Sequence, residues 1–238
     1  MNISLNRKLN YGRHLLGKML SYNKAESPTV VDIGAGSGDD LTLIKAALPK
    51  ANLNAIECFP RNIEKLRDLG VNVFEINLER DELPFANESV DLVIANQIFE
   101  HCKELFFMMH EISRVLKVGG VLYVGVPNLA ALHSRILLLF GQQPSSIKTN
   151  SAHIRGFTIS DFRKFLDSCF PGGYEICEVK GSNFYPFPEP IARFLSYIFP
   201  SLAVSIFFTL RKRTIYQDEF ITYPIGLETN FWLGSNEV

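Results

Sequence analysis

The stretch Val30-Val31-Asp32-Ile33-Gly34-Ala35-Gly36-Ser37-Gly38-Asp39-Asp40 decides how this chain folds. Val30 to Ile33 read as a buried strand, the three glycines as a tight turn, and the residues from about Asp39 to Leu48 as a helix. Glycine tolerates positive φ and, having no Cβ, lets a ligand come close to the backbone. The helix start behind the turn offers unsatisfied N–H groups and a positive dipole end, so a carboxylate or phosphate suits the spot. Dinucleotide sites use G-x-G-x-x-G here; this chain has G-x-G-x-G preceded by an acid at position 32. A turn with three glycines can also be purely structural, so the flanking sequence must decide.

Outward from the turn, strand and helix signals alternate. A second strand, Leu53 to Ile56, ends at Glu57, about twenty residues past the turn, where an acid can accept hydrogen bonds from both ribose hydroxyls of an adenosine. NAD enzymes share that acid, so it indicates adenosine without choosing a cofactor. A third strand, Val71 to Ile76, runs into Asn77-Leu78-Glu79 and then Leu83-Pro84-Phe85. A fourth, Val90 to Ala95, carries Asp91 and ends in Asn96-Gln97-Ile98-Phe99-Glu100-His101. An amphipathic helix from about Leu105 to Leu116 follows, with Val118-Gly119-Gly120 as its expected stop and Val121 to Val126 as strand five, closing on Pro127-Asn128.

This series resembles the class I S-adenosylmethionine (SAM) methyltransferases that carry an LPF segment and an EH pair. Their pattern is D-x-G-x-G-x-G, an acid, D-L-E with LPF, D-x-V with EH, R-V-L-K-x-G-G, and P-N after strand five. The likeness is close over residues 28–128, thin over 150–180 and faint beyond. It implies an α/β, Rossmann-like sheet of seven strands, mostly parallel, in the order 3-2-1-4-5-7-6 with helices on both faces. It implies SAM as cofactor, with the methionine portion cradled at Gly34, Ala35 and Gly36 and Asp32 orienting the loop or reaching the amino group. Glu57 would hold the ribose, Cys58 or Phe59 would lie along the adenine, and Leu78 would offer its N–H to the ring. Asn77 departs from the pattern, which more often has Asp there; a neutral acceptor in place of a charged one costs about 1 kcal/mol. Asn96 would face the methionine end and the substrate.

The rest of the chain bounds the reading. A length of 238 residues suits one α/β domain with additions. The expected division is a helical segment over 1–27 lying over the cofactor site, a methyltransferase domain over 28–213 with lid and acceptor insertions near 128–159 and 181–200, and a tail over 214–238. A net charge of −1 excludes the strongly basic footprint of a nucleic-acid binder. Residues 1–24 nevertheless hold five Lys or Arg and no acid, whereas 214–238 hold four acids and no Lys or Arg. The basic start has Leu9, Leu15, Leu16, Met19 and Leu20 for an apolar face; either it packs as a solvated basic helix or it folds over the cofactor, with Tyr11 or Arg13 touching it. Cysteines 58, 102, 169 and 177 form neither a C-x-x-C pair nor a zinc spacing. They fit reduced thiols in a cytoplasmic protein, no signal peptide is expected, and no metal cluster is expected either.

Two apolar stretches stand out, 130–140 and 191–210, the second with fourteen apolar residues in twenty. Arg193 and Pro200 interrupt it, so a short helix and a buried strand from Val204 to Leu210 are expected rather than a membrane span. Peripheral membrane contact by 130–140 or 191–199 is a further expectation. Two segments compete for the acceptor chemistry. His101 is a candidate general base, since an imidazole titrates near neutrality, or else a supporting histidine. His153-Ile154-Arg155-Gly156-Phe157 matches an H-x-R-x-F segment of the family, which implies that His153 and Arg155 lie on the substrate side. Arg155 would bind an acidic group or pair with a surface acid. Thr158 or Ser160 would cap the following helix. The acceptor is expected to be a small molecule, a glycan or a lipid-linked or quinone-type compound, methylated on oxygen. A non-catalytic SAM-binding scaffold and an NAD oxidoreductase are the competing readings, the latter disfavoured by the glycine spacing and the lack of a Tyr-x-x-x-Lys pair.

Overall fold

A computed structural model describes residues 7–227, 231, 232 and 234, the side chain of Arg7 excepted. Seven strands form one sheet: β1 (Thr29–Ile33), β2 (Asn52–Ile56), β3 (Asn72–Phe74), β4 (Val90–Asn96), β5 (Leu116–Pro127), β6 (Tyr174–Ser182) and β7 (Ser205–Lys212). Their order is β3-β2-β1-β4-β5-β7-β6, as the family resemblance implies. Strands β1 to β5 pair in parallel, with Val30 opposite both Leu53 and Leu92, and β7 runs antiparallel between β5 and β6. The parallel strands are continuous apolar runs because helices cover both faces. Val31, Ile33, Val93, Leu122 and Val124 face one core and Val30, Leu92, Ile94, Val121 and Tyr123 the other.

The helices are α1 (Leu16–Leu20), α2 (Asp39–Ala47), α3 (Pro60–Asp68), α4 (Leu105–Val115), α5 (Leu132–Leu139), α6 (Ile159–Cys169), α7 (Glu189–Ile198) and α8 (Glu219–Thr222). The side chain of Thr158 caps α6 by accepting from the Asp161 N–H at 3.1 Å. Among the described residues, no helix is long and apolar enough to cross a membrane.

Three local readings change. Gly119-Gly120 do not stop a helix: α4 ends at Val115, and Leu116 already pairs with Val90 as the first residue of β5. Gly119, at φ +86°, lies where that pairing shifts register before Val121 resumes it opposite Leu92, so the glycines make a bulge inside a strand. The leading segment is mostly 3₁₀ turns, Arg7–Tyr11 and Arg13–Leu15, before the short α1. Gly12 interrupts it at φ +58° because a Cβ there would lie 2.3 Å from the Phe207 ring. Leu16, Met19 and Leu20 are nonetheless buried on the sheet, as their spacing predicts, while Leu9 is buried in a separate cluster with Phe184 and Ala192. In the tail, Phe220 is fully buried, Phe231 meets Phe106 edge-on at 4.9 Å, and the Trp232 N–H donates to Glu104. The described tail therefore packs on α4; residues 228–230, 233 and 235–238 lie outside the described residues.

Candidate cofactor and acceptor site

The site lies beyond the carboxyl ends of β1, β2 and β4, where strand order reverses beside β1. Gly34, Gly36 and Gly38 all take positive φ (68°, 56° and 80°). A Cβ on Gly34 would lie 2.7 Å from Ile98, whereas one on Gly36 would project into open space. Glu57, at the end of β2, ties this turn to the next loop. One carboxylate oxygen accepts the Gly36 N–H at 2.8 Å and the Asn62 amide at 3.2 Å; the other accepts the Cys58 and Phe59 N–H groups at 2.8 and 2.9 Å. Four donors converge on one buried carboxylate, so its position is rigid.

Three cavities meet along this edge. The first, of about 640 Å³, is walled by Gly34, Glu57, Cys58, Asn77, Leu78 and His101, with Ile56, Ile76 and Ile98 supplying apolar surface. Asn77 and Leu78 thus stand where the family resemblance implies the adenine. The Asn77 side-chain oxygen Oδ1 accepts the Glu79 N–H at 3.0 Å, and the Asn77 backbone N–H donates to the Asp81 carboxylate at 2.6 Å. Asp81 is therefore a second acid of this loop, invisible to a reading based on motif spacing alone.

The second cavity, about 390 Å³, shares Gly34 with the first and is walled by Asp32, Ala35, Gly36, Asp40, Tyr11 and Arg13. Burial pushes the Asp32 carboxyl well above the usual carboxylate range, helped by the neighbouring charges of Asp40 and Glu57 and opposed by Arg13. Arg13 donates to Asp40 at 2.8 Å, pairs with Asp39 at 3.0 Å and stacks over Tyr11 at 4.6 Å. The Asn96 amide donates to the Tyr11 carbonyl at 3.0 Å and to Asp40 at 2.7 Å. Asn96 therefore latches the leading segment over this cavity, and Gly125 behind it must lack a side chain, since a Cβ would come within 2.3 Å of the Asn96 oxygen.

The third cavity, about 450 Å³, shares Gln97 with the second. His133, Lys148, His153, Tyr185 and Asn10 line it, so both insertions and the leading segment contribute. Tyr185 and Asn10 bond to each other, and the Asn128 amide holds the carbonyls of Ser201 and Ala203 at 2.9 and 2.8 Å. Gln97 has φ +58°, and its side-chain nitrogen is buried with no hydrogen-bond partner. Gln97 thus combines a left-handed backbone with an unspent donor at the junction of two cavities. Family motifs do not include Gln97, His133, Lys148 or Tyr185, and only tertiary contact brings them together.

The EH and HIR segments are zipped side by side. The Glu100 carbonyl accepts the Ile154 N–H at 2.8 Å, and His101 Nδ1 donates to the Ala152 carbonyl at 3.2 Å. The His101 and His153 rings meet edge-on at 4.7 Å, joining the first cavity to the third. Burial, then the charge of His153, lowers the His101 pKa, which keeps the imidazole neutral. Arg155 departs from expectation. Its guanidinium donates to the carbonyls of Cys102 at 3.2 Å and Lys103 at 2.6 Å, and it lines a separate cleft with Phe106 and Phe165. Through these bonds it clamps the two segments to each other.

A glycine turn, a buried acid after β2 and a switch-point cavity on this sheet order are the features of the class I SAM-dependent methyltransferase fold, and the chain carries a methyltransferase domain within it. Residues 31–124 match the family model described as a methyltransferase domain. The malonyl-[acyl-carrier protein] O-methyltransferase of Methylococcus capsulatus is 34% identical over 38% of this chain and 34% of its own length. Its namesake from Acetivibrio thermocellus is 24% identical over 92% of this chain and 68% of its own length. The chain thus spans about a third of the first of these relatives and about two thirds of the second. Among solved structures, the plantazolicin methyltransferase in complex with SAH superposes with a TM-score of 0.61 at 19% identity, over 88% of this chain and 87% of that one.

Proposed function

We propose that this protein transfers the methyl group of SAM to an oxygen of a small-molecule or glycan acceptor. One observation carries the reading: the three cavities run in series, sharing Gly34 at one junction and Gln97 at the other. That order suits adenosine, methionine and acceptor. The residues fit the cofactor. Gly36 has the open space a close-lying ligand needs, Asp32 and Asp40 face the place of an ammonium group, and apolar side chains line the adenine end.

When bound, SAM supplies an electrophilic methyl on a sulfonium, so the protein's work is mainly to hold two reactants in line. Such orientation supplies roughly 7–11 kcal/mol of the barrier. Glu57 fixes the ribose end, and Asp32 meets the ammonium as a carboxylate. Tyr11, held by Asn96, roofs the methionine end and excludes water. Gln97 offers its unspent amide N–H to the acceptor oxygen. The acceptor proton leaves on the side of His153, which lines the acceptor cavity, with His101 edge-on behind it in the first cavity.

A lipid-linked or quinone-type acceptor taken at a membrane surface is the second reading. Leu139 and Phe140 at the end of α5 and Phe194 and Tyr197 on α7 expose more than half of their surface. Calorimetric titration with SAM, its demethylated product and NAD tests the proposal, with Glu57→Ala as control. Selective binding of the two sulfur ligands, followed by turnover of an oxygen acceptor, supports it. Binding without turnover of any acceptor would favour the scaffold reading, and NAD binding alone would overturn the cofactor.

A further inference from the structure

We propose that Glu100, His101 and His153 bind a first-row divalent cation at the boundary between the cofactor and acceptor cavities. One donor atom from each residue lies within 4.8 Å of the other two, and His101 Nε2 is 4.0 Å from a Glu100 oxygen. Both imidazoles are held in the form that ligation requires. His101 Nδ1 faces the Ala152 carbonyl at 3.2 Å and His153 Nδ1 the Ser146 carbonyl at 2.8 Å. A carbonyl only accepts, so each ring carries its proton on Nδ1 and keeps the Nε2 lone pair open. Metal-binding histidines are oriented by this kind of outer hydrogen bond.

Glu100 is the second, independent observation. Its side chain is 1% exposed, and one carboxylate oxygen is buried without any hydrogen-bond partner. A buried acid of this kind is costly unless a cation or donor meets it. The scaffold around the trio is stiff, because Ile154 N–H on the Glu100 carbonyl and Arg155 on the Cys102 and Lys103 carbonyls fix both segments.

Two nitrogens and one carboxylate suit Zn²⁺, Mn²⁺, Fe²⁺ or Co²⁺. Ligand bonds of about 2.0–2.2 Å draw the three side chains inward from their present spacing. Three protein ligands leave coordination positions open. Since His153 lines the acceptor cavity, an acceptor hydroxyl can take one of them and release its proton to solvent water, the two imidazoles then serving as ligands and not as bases. That use rests on the methyl-transfer reading; the site itself does not.

The test is titration of the chelator-treated full chain with Co²⁺, read by visible absorption, with SAM binding measured in parallel by calorimetry. One saturable equivalent is expected, weakened by at least about tenfold in both Glu100→Gln and His153→Ala and unchanged in His14→Ala. His153→Ala decides alone if Glu100→Gln fails to fold. No saturable Co²⁺ binding by folded protein, or binding retained in His153→Ala, overturns the site. Failure of SAM binding with Co²⁺ binding intact would instead strike the methyl-transfer reading alone.

Discussion

The cofactor half of the site and the acceptor half are built on different principles. On the cofactor side, strand ends and backbone amides do the positioning: three glycines turn the chain, and four donors pin Glu57 within a span of 27 residues. On the acceptor side, long-range side-chain ties do it: Asn10 to Tyr185, Asn128 to the loop before β7, and Arg155 to the turn after β4. The first design leaves few degrees of freedom and serves one ligand. The second allows the insertions to change while the sheet stays the same, which is how one fold accepts many substrates.

Breaking Glu57 should have the largest effect on this contrast. Glu57→Ala removes the carboxylate proposed to meet the ribose together with the four hydrogen bonds that fix the two cofactor loops, so SAM affinity should fall by about 100-fold or more in calorimetry. The acceptor half should keep its structure, because none of its ties pass through Glu57; loss of cavity residues there by hydrogen exchange would refute the separation. Arg155→Ala should do the reverse. Two carbonyls lose their donor, lowering stability by about 2–3 kcal/mol in urea unfolding and reducing turnover, while the Kd for SAM shifts less than about threefold. Arg155→Lys should not restore it, because one ammonium does not reproduce the guanidinium fork.

A pH profile sharpens the cofactor side further. The Asp32 pKa is raised in the folded protein, so its protonated form favours folding below the ordinary carboxylate value, and that contribution is lost as pH rises through the raised value. With the proposed pairing of the SAM ammonium to this carboxylate, affinity should climb with pH across that window and then level off. Binding should also release protons, detected as a heat that depends on the buffer's ionisation enthalpy. A flat profile in the native protein, or one unaltered in Asp32→Asn, would remove Asp32 from the ammonium site. The smallest effect belongs to Asn77→Asp, which keeps the bond to the Glu79 N–H and adds charge. SAM affinity should rise by about fivefold, or about 1 kcal/mol.

Legibility follows the same division. Glycine spacing, the acid at 57 and strand periodicity are local signals, and each lands where the chain direction dictates. The bulge at Gly119-Gly120 was misread as a helix stop because positive φ serves both purposes, and only the pairing of Leu116 with Val90 distinguishes them. The backbone partners of Arg155 are illegible for a similar reason: a guanidinium suits a carboxylate and a pair of carbonyls alike, and which backbone lies within reach is set by the fold.

The sequence by itself determined the sheet, its order through the family pattern, and the cofactor edge, since these rest on periodicity and on residues close together in the chain. Tertiary structure alone decided that Asn96 latches the leading segment, that Gln97 stands between two cavities with its amide unspent, and that Glu100, His101 and His153 converge. The physical reason is range: a turn's dihedral demands are written in adjacent residues, whereas a pocket between segments more than fifty residues apart exists only once hydrogen bonds and packing have closed the distance.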